Sequence, residues 1–127
     1  MECVHLPGRP QSHTGTREFE RWRARVRQRM REAGITPIAQ PHTLALECRL
    51  YYAVNQDVTY DLAALGIPRI TAATEALLIA MTGVLYERRN QIDTLIIQRC
   101  IMAPEALAAQ HGEAWRDGGC TVRWEVD

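Results

Sequence analysis

Thr82-Gly83-Val84-Leu85-Tyr86-Glu87-Arg88-Arg89-Asn90-Gln91-Ile92-Asp93 joins two segments of different periodicity. On its N-terminal side, Thr71 to Thr82 is rich in alanine and leucine and apolar around most of its circumference. Such a helix buries itself against a sheet, and Gly83 closes it. On its C-terminal side, Ile92 to Ile101 is rich in β-branched residues and reads as a strand. The stretch therefore marks a helix-loop-strand junction, and the rest of the chain is read outward from it.

Upstream, Thr43 to Val54 alternates. Leu44, Leu46, Cys48, Leu50 and Tyr52 would point one way, and Thr43, Ala45, Glu47, Arg49 and Tyr51 the other, as in a strand with one buried face. Asn55 to Pro68 is irregular, because Gly66-Ile67-Pro68 forbids one continuous helix. Further back, Phe19, Trp22, Val26, Met30 and Ala33 recur at helical steps. Thr16 is placed as the N-cap of that helix, Glu18 and Glu20 lie near its positive end, and Gly34 stops it. Glu2 to Leu6 reads as a short strand ended by Pro7-Gly8-Arg9-Pro10.

Downstream, Pro104 to Trp115 holds a short helix and Gly118-Gly119 reads as a turn. Cys120 to Val126 alternates, with Val122, Trp124 and Val126 inward. The order predicts an α+β fold: two main helices packed on a mixed, mainly antiparallel four-stranded sheet. At 127 residues the chain makes one domain over 1–127, small enough that a partner subunit would help it.

Composition excludes several classes. No apolar run approaches the ~20 residues of a membrane span, and the N-terminus lacks the pattern of a signal peptide, so the expected location is cytoplasmic. Cys3, Cys48, Cys100 and Cys120 are widely spaced, and His5, His13, His42 and His111 are equally scattered. Neither set has the close pairs of a zinc site, and the cysteines are expected as buried, reduced side chains. Net charge is zero, yet all fifteen basic residues are arginine. Arg17, Arg21, Arg23, Arg25, Arg27, Arg29 and Arg31 crowd one helix, and Arg17, Arg21, Arg25 and Arg29 form a ridge at four-residue steps. Two readings stand side by side: a solvated face partly paired with Glu18, Glu20 and Glu32, or a surface that tracks a phosphate backbone. Tyr51, Tyr52 and Tyr60 flank the irregular segment, as strand-edge packing or as platforms for an unpaired base.

The element order, the opening Val4-His5-Leu6-Pro7-Gly8-Arg9-Pro10-Gln11-Ser12 and the Gly83-Val84-Leu85-Tyr86-Glu87 segment together resemble the RusA-type Holliday-junction resolvases. These crossover-junction endodeoxyribonucleases commonly carry Gly-Val-Leu-Tyr-Glu-Asp-Asp-x-Gln-Ile at this point. The resemblance implies magnesium-dependent phosphodiester hydrolysis by a homodimer, with carboxylates holding the ion. Here the two aspartates after Glu87 are Arg88 and Arg89. Counting back from Gly83, Arg69 and Thr71 stand where the family has Asp-x-Asp, Ala72 at its asparagine, and Glu75 at its lysine.

The family set sums to about −3, and Arg69, Thr71, Glu75, Arg88 and Arg89 to about +2. Arginine repels a divalent ion, so no cofactor is expected and magnesium would bind only at a relocated site. That relocated site would use the residual acids Asp57, Asp61, Glu87 and Asp93, with Tyr60-Asp61-Leu62 as a displaced form of the aspartate motif. The resemblance thus implies a catalytically inactive homologue. Either Glu75 makes a reversed salt bridge with Arg88 or Arg69, or the arginines grip a phosphate of branched or structured DNA without cutting it. An interaction subunit with no DNA role and a surviving junction endonuclease are the alternatives.

Overall fold

The computed structural model describes residues 2–55 and 62–127. In chain order these form β1 (Glu2–Pro7), α1 (Arg17–Glu32), β2 (Leu44–Ala53), α2 (Ile70–Met81), β3 (Ile92–Met102), α3 (Pro104–His111) and β4 (Gly118–Val126). Single 3-10 turns occupy Ala63–Leu65, Arg89–Gln91 and Glu113–Trp115. The strands make one mixed sheet in the order β1-β4-β2-β3. The β1/β4 and β4/β2 ladders are antiparallel, while β2 and β3 are parallel and linked across the sheet by α2. The fold is the α+β arrangement expected from the sequence.

Leu44, Leu46, Cys48, Leu50 and Tyr52 are all buried, as the alternation of β2 requires. They meet Phe19, Trp22, Val26 and Met30 of α1 and Ala73, Ala76, Leu77 and Met81 of α2 in one core. Thr16 caps α1, its hydroxyl accepting from the Phe19 N–H at 3.2 Å. Gly34, at φ 78°, ends the helix in the left-handed conformation that a side chain would resist.

The opposite face of the sheet carries a second, smaller cluster of Tyr51, Leu107 and Trp115. Here α3 covers only part of the sheet, and Tyr51 is buried rather than facing solvent. Two local expectations fail in β4. Gly118 and Gly119 do not form a turn; they open β4, opposite Tyr52 and Tyr51. A methyl group at Gly119 would sit 2.5 Å from the Trp115 ring, so the indole lies directly on bare backbone. At the other end of β4, Val126 is exposed rather than inward. Of the cysteines, Cys48 and Cys120 are buried, Cys100 is half-buried and Cys3 is exposed. Burial, then the charge of Glu47, pushes the Cys48 thiol up to about 12, which keeps it protonated and inert.

The loop of Gly83 to Gln91 owes its shape to a buried amide. Gln91 donates from Nε2 to the Ile38 and His42 carbonyls at 2.9 and 3.0 Å. Its Oε1 accepts from the backbone N–H groups of Glu87 and Arg88 at 2.9 and 2.8 Å. A buried amide satisfied on both ends fixes a loop as firmly as secondary structure would. Tyr86 adds a second tie, its hydroxyl donating to the Leu78 carbonyl at 2.6 Å.

Candidate nucleic-acid interface

The seven arginines of α1 divide by geometry. Buried Phe19, Trp22, Val26 and Met30 fix the rotation of the helix, which leaves Arg17, Arg21, Arg25 and Arg29 exposed on its outer side. None of these four makes a salt bridge with a described residue. The ion pair of α1 is Arg23 to Glu20, at a loose 3.6 Å. Glu32 instead accepts from Gln28 at 3.0 Å.

Arg27 is the exception on this helix. It donates to the Ala80 and Thr82 carbonyls at 3.2 and 2.7 Å, closing the C-terminal end of α2. Burial holds its guanidinium below the ordinary arginine value, and the charges of Arg23 and Arg31 add to the effect. Two positive neighbours on the same helix thus act on Arg27, behind the effect of burial.

The positions that the resemblance would place at a metal site lie along α2 and the following turn. Arg69 stands at the N-terminal boundary of α2, and Thr71 and Glu75 lie on its first turns, Thr71 exposed to solvent. Glu75 receives a hydrogen bond from Arg89 to each carboxylate oxygen at 2.9 Å. Glu75 therefore pairs with Arg89, and not with Arg88 or Arg69. The 3-10 turn Arg89–Gln91, held by Gln91, aims Arg89 back along α2. Arg88 stays exposed on the loop. Arg69 is about 9 Å further along the helix axis at 1.5 Å per residue, so the arginine positions form a row rather than one pocket.

The residual acids are dispersed. Glu87 is exposed on the loop, its backbone N–H committed to Gln91. Asp93 lies at the register shift that opens β3, where its carboxylate accepts from the Thr43 hydroxyl at 3.1 Å. The same hydroxyl lies 3.3 Å from Asp127. The neighbouring carboxyl groups act on each other, which lowers the Asp93 value and raises that of Asp127. Asp57, Asp61 and Tyr60 fall outside the described residues. Among the described residues no three His, Cys, Asp or Glu side chains are grouped to hold a metal ion, and no helix is long and apolar enough to cross a membrane.

Two arginines that periodicity gave no reason to single out hold the architecture beside Arg69. Arg9 donates to the carbonyls of Ala53, Leu65 and Gly66 at 3.0, 3.3 and 3.4 Å, with its guanidinium 5.3 Å from the Tyr52 ring centroid. Arg99 donates to the Pro68 carbonyl at 2.7 Å. Arg9, Ser12, His13, Pro68, Arg69 and Ala72 contribute to the walls of a cavity of about 370 Å³ at the start of α2. Tyr52 is enclosed beneath Arg9 and Tyr51 under α3, so neither tyrosine is placed as a stacking platform.

No protein-family model matches this chain, and no curated protein matches it at a significant level. The likeness to the RusA-type enzymes accordingly rests on the opening Val4–Ser12 stretch, the Gly83–Glu87 segment and the order of elements.

Proposed function

We propose that this chain is a RusA-like homologue that binds branched or structured DNA as a homodimer, through arginines and without metal-dependent cleavage. The observation that carries the reading is the outer side of α1, where Arg17, Arg21, Arg25 and Arg29 are exposed with no described carboxylate partner. Seven arginines against three glutamates leave this one helix strongly positive in a chain of zero net charge. A row of guanidinium groups without a described carboxylate partner suits a phosphate backbone, since each can displace a condensed counterion. The Glu75–Arg89 pair supports the absence of cleavage, because it places a cation where the family would hold a carboxylate.

The test is a gel shift on a four-way junction and on linear duplex of the same length, with and without magnesium. The expected result is junction binding that weakens steeply with salt and is indifferent to magnesium. Cleavage dependent on magnesium would revive a relocated carboxylate site around Asp57, Asp61 and Glu87. No binding at low salt would remove the DNA reading and leave a protein-interaction subunit.

A further inference from the structure

We infer that β3 is the self-association surface of this protein, pairing antiparallel with β3 of a second copy to make one eight-stranded sheet. This seam would build the homodimer of the reading above, and it rests on that reading only for its purpose. β3 is one of the two sheet edges, and among the described residues its backbone receives hydrogen bonds only from β2 and Val54. It is eleven residues long and contains no proline, a usual means of blunting an edge. Its two charged side chains are both turned to partners within the chain: Asp93 to Thr43 and Arg99 to the Pro68 carbonyl. Between them, Thr94 to Gln98 carries no charge. Leu95, Ile96 and Ile101 are 39%, 55% and 37% exposed, so most of the large exposed aliphatic side chains lie on this one strand. By contrast β1, at the other edge, has six residues and ends on Pro7.

The sequence of β3 selects both the partner and the register. A two-fold axis perpendicular to the sheet pairs residues that point to the same face. Leu95, Ile97, Arg99 and Ile101 share the face of Leu46, Cys48, Leu50 and Tyr52, while Ile96, Gln98 and Cys100 point to the other. With Gln98 opposite itself, Leu95 meets Ile101 and Ile96 meets Cys100 in both halves of the seam. Every exposed aliphatic group of the strand is then covered, and the central amides can bond to one another. Moving the axis to Ile97 sets Leu95 against Arg99 and Asp93 against Ile101. Moving it to Ile96 leaves Ile101 beyond the paired region.

The same axis keeps both copies of α1 and α2 on one face of the joined sheet. The α2 helices flank the seam, so Arg69 and Arg89 of the two copies border a single basic surface.

Sedimentation of the full chain without DNA, beside an Ile96→Lys variant, tests the surface independently of DNA binding. The expected result is a doubled mass for the natural chain and a single-chain mass for Ile96→Lys, with unchanged circular dichroism. Register is read by oxidising an Ile96→Cys chain in a Cys3→Ser background, which should give a covalent dimer that is lost on adding Cys100→Ser. A natural chain that stays monomeric at the highest soluble concentration overturns the inference. So does an Ile96→Lys chain that still dimerises. A cross-link that survives Cys100→Ser overturns the register. Junction binding by a monomer would keep the arginine contact with DNA while removing the homodimer and this surface, and a dimer that ignores DNA would do the reverse.

Discussion

Arginines of identical chemistry live in two conditions in this molecule. Arg9, Arg27 and Arg99 spend their donors on backbone carbonyls at the ends of elements, and Arg89 closes a pair with both carboxylate oxygens of Glu75. Arg17, Arg21, Arg25 and Arg29 stand in a row on α1 with none of these bonds to a described residue. Composition alone can make every basic residue arginine, but it does not sort them this way. The latching group uses the flat five-donor fork, which satisfies carbonyls left open where helices and strands end. The row uses only charge, and positive neighbours on one helix raise one another's potential instead of neutralising it. One group should matter to the fold and the other to a ligand.

The largest expected effect separates the two. Replacing Arg17, Arg21, Arg25 and Arg29 together by glutamine should weaken junction binding by about a hundredfold or more at moderate salt. It should also flatten the dependence of log K on log salt by roughly 3–4, at ~0.9 for each phosphate no longer neutralised. The melting temperature should hardly move, since exposed substitutions away from caps and networks change stability by about 0.5 kcal/mol or less. An unchanged salt slope would show the row to be a solvated face. Next in size, Arg9→Ala should cost about 2–3 kcal/mol in chemical denaturation, because three carbonyls lose a charged donor and Tyr52 loses its cover. Its salt slope in a gel shift should stay as in the natural chain. Arg27→Gln lies between the two groups, on the helix of the row but bonded like a latch. It should cost about 1–2 kcal/mol of stability, and an effect on binding alone would move Arg27 into the row.

How much of this division can be read from residues depends on the range of the cause. The four-residue spacing of the α1 arginines and the alternation of Leu44 to Tyr52 are local periodicities, and both carried through to the structure. The faces they define follow from backbone geometry alone. What periodicity could not supply was the partner of each group. Gly118-Gly119 has the composition of a turn, and only the Trp115 ring lying against it makes it the start of a strand. Gln91 looks like a surface residue, since its four hydrogen bonds go to Ile38, His42, Glu87 and Arg88, two of them some fifty residues away. Arg9 sits in a Pro-Gly-Arg-Pro stretch that reads only as a break, yet it bridges to residues 53, 65 and 66. The candidate site follows the same pattern. The charges of Glu75 and Arg88-Arg89 are visible in the sequence, but the pairing partner is set by the direction of a 3-10 turn that Gln91 holds from below.

That pair gives the smallest effect and the finest test of the comparison. The Arg89 and Glu75 side chains are 45% and 54% exposed, so their good geometry is offset by solvent screening. Glu75→Gln should lower stability by about 0–1 kcal/mol, and a double-mutant cycle with Arg89→Gln should return a coupling of the same small size. The effect on binding should run the other way. Freeing Arg89 from its carboxylate adds an unpaired guanidinium beside α2, so Glu75→Gln should tighten the junction complex and steepen its salt slope by up to ~1. A latching arginine would then have been turned into a member of the free set by one substitution. If binding instead weakens while stability is kept, Glu75 orients Arg89 for the phosphate, and the ion pair belongs to the interface and not to the scaffold.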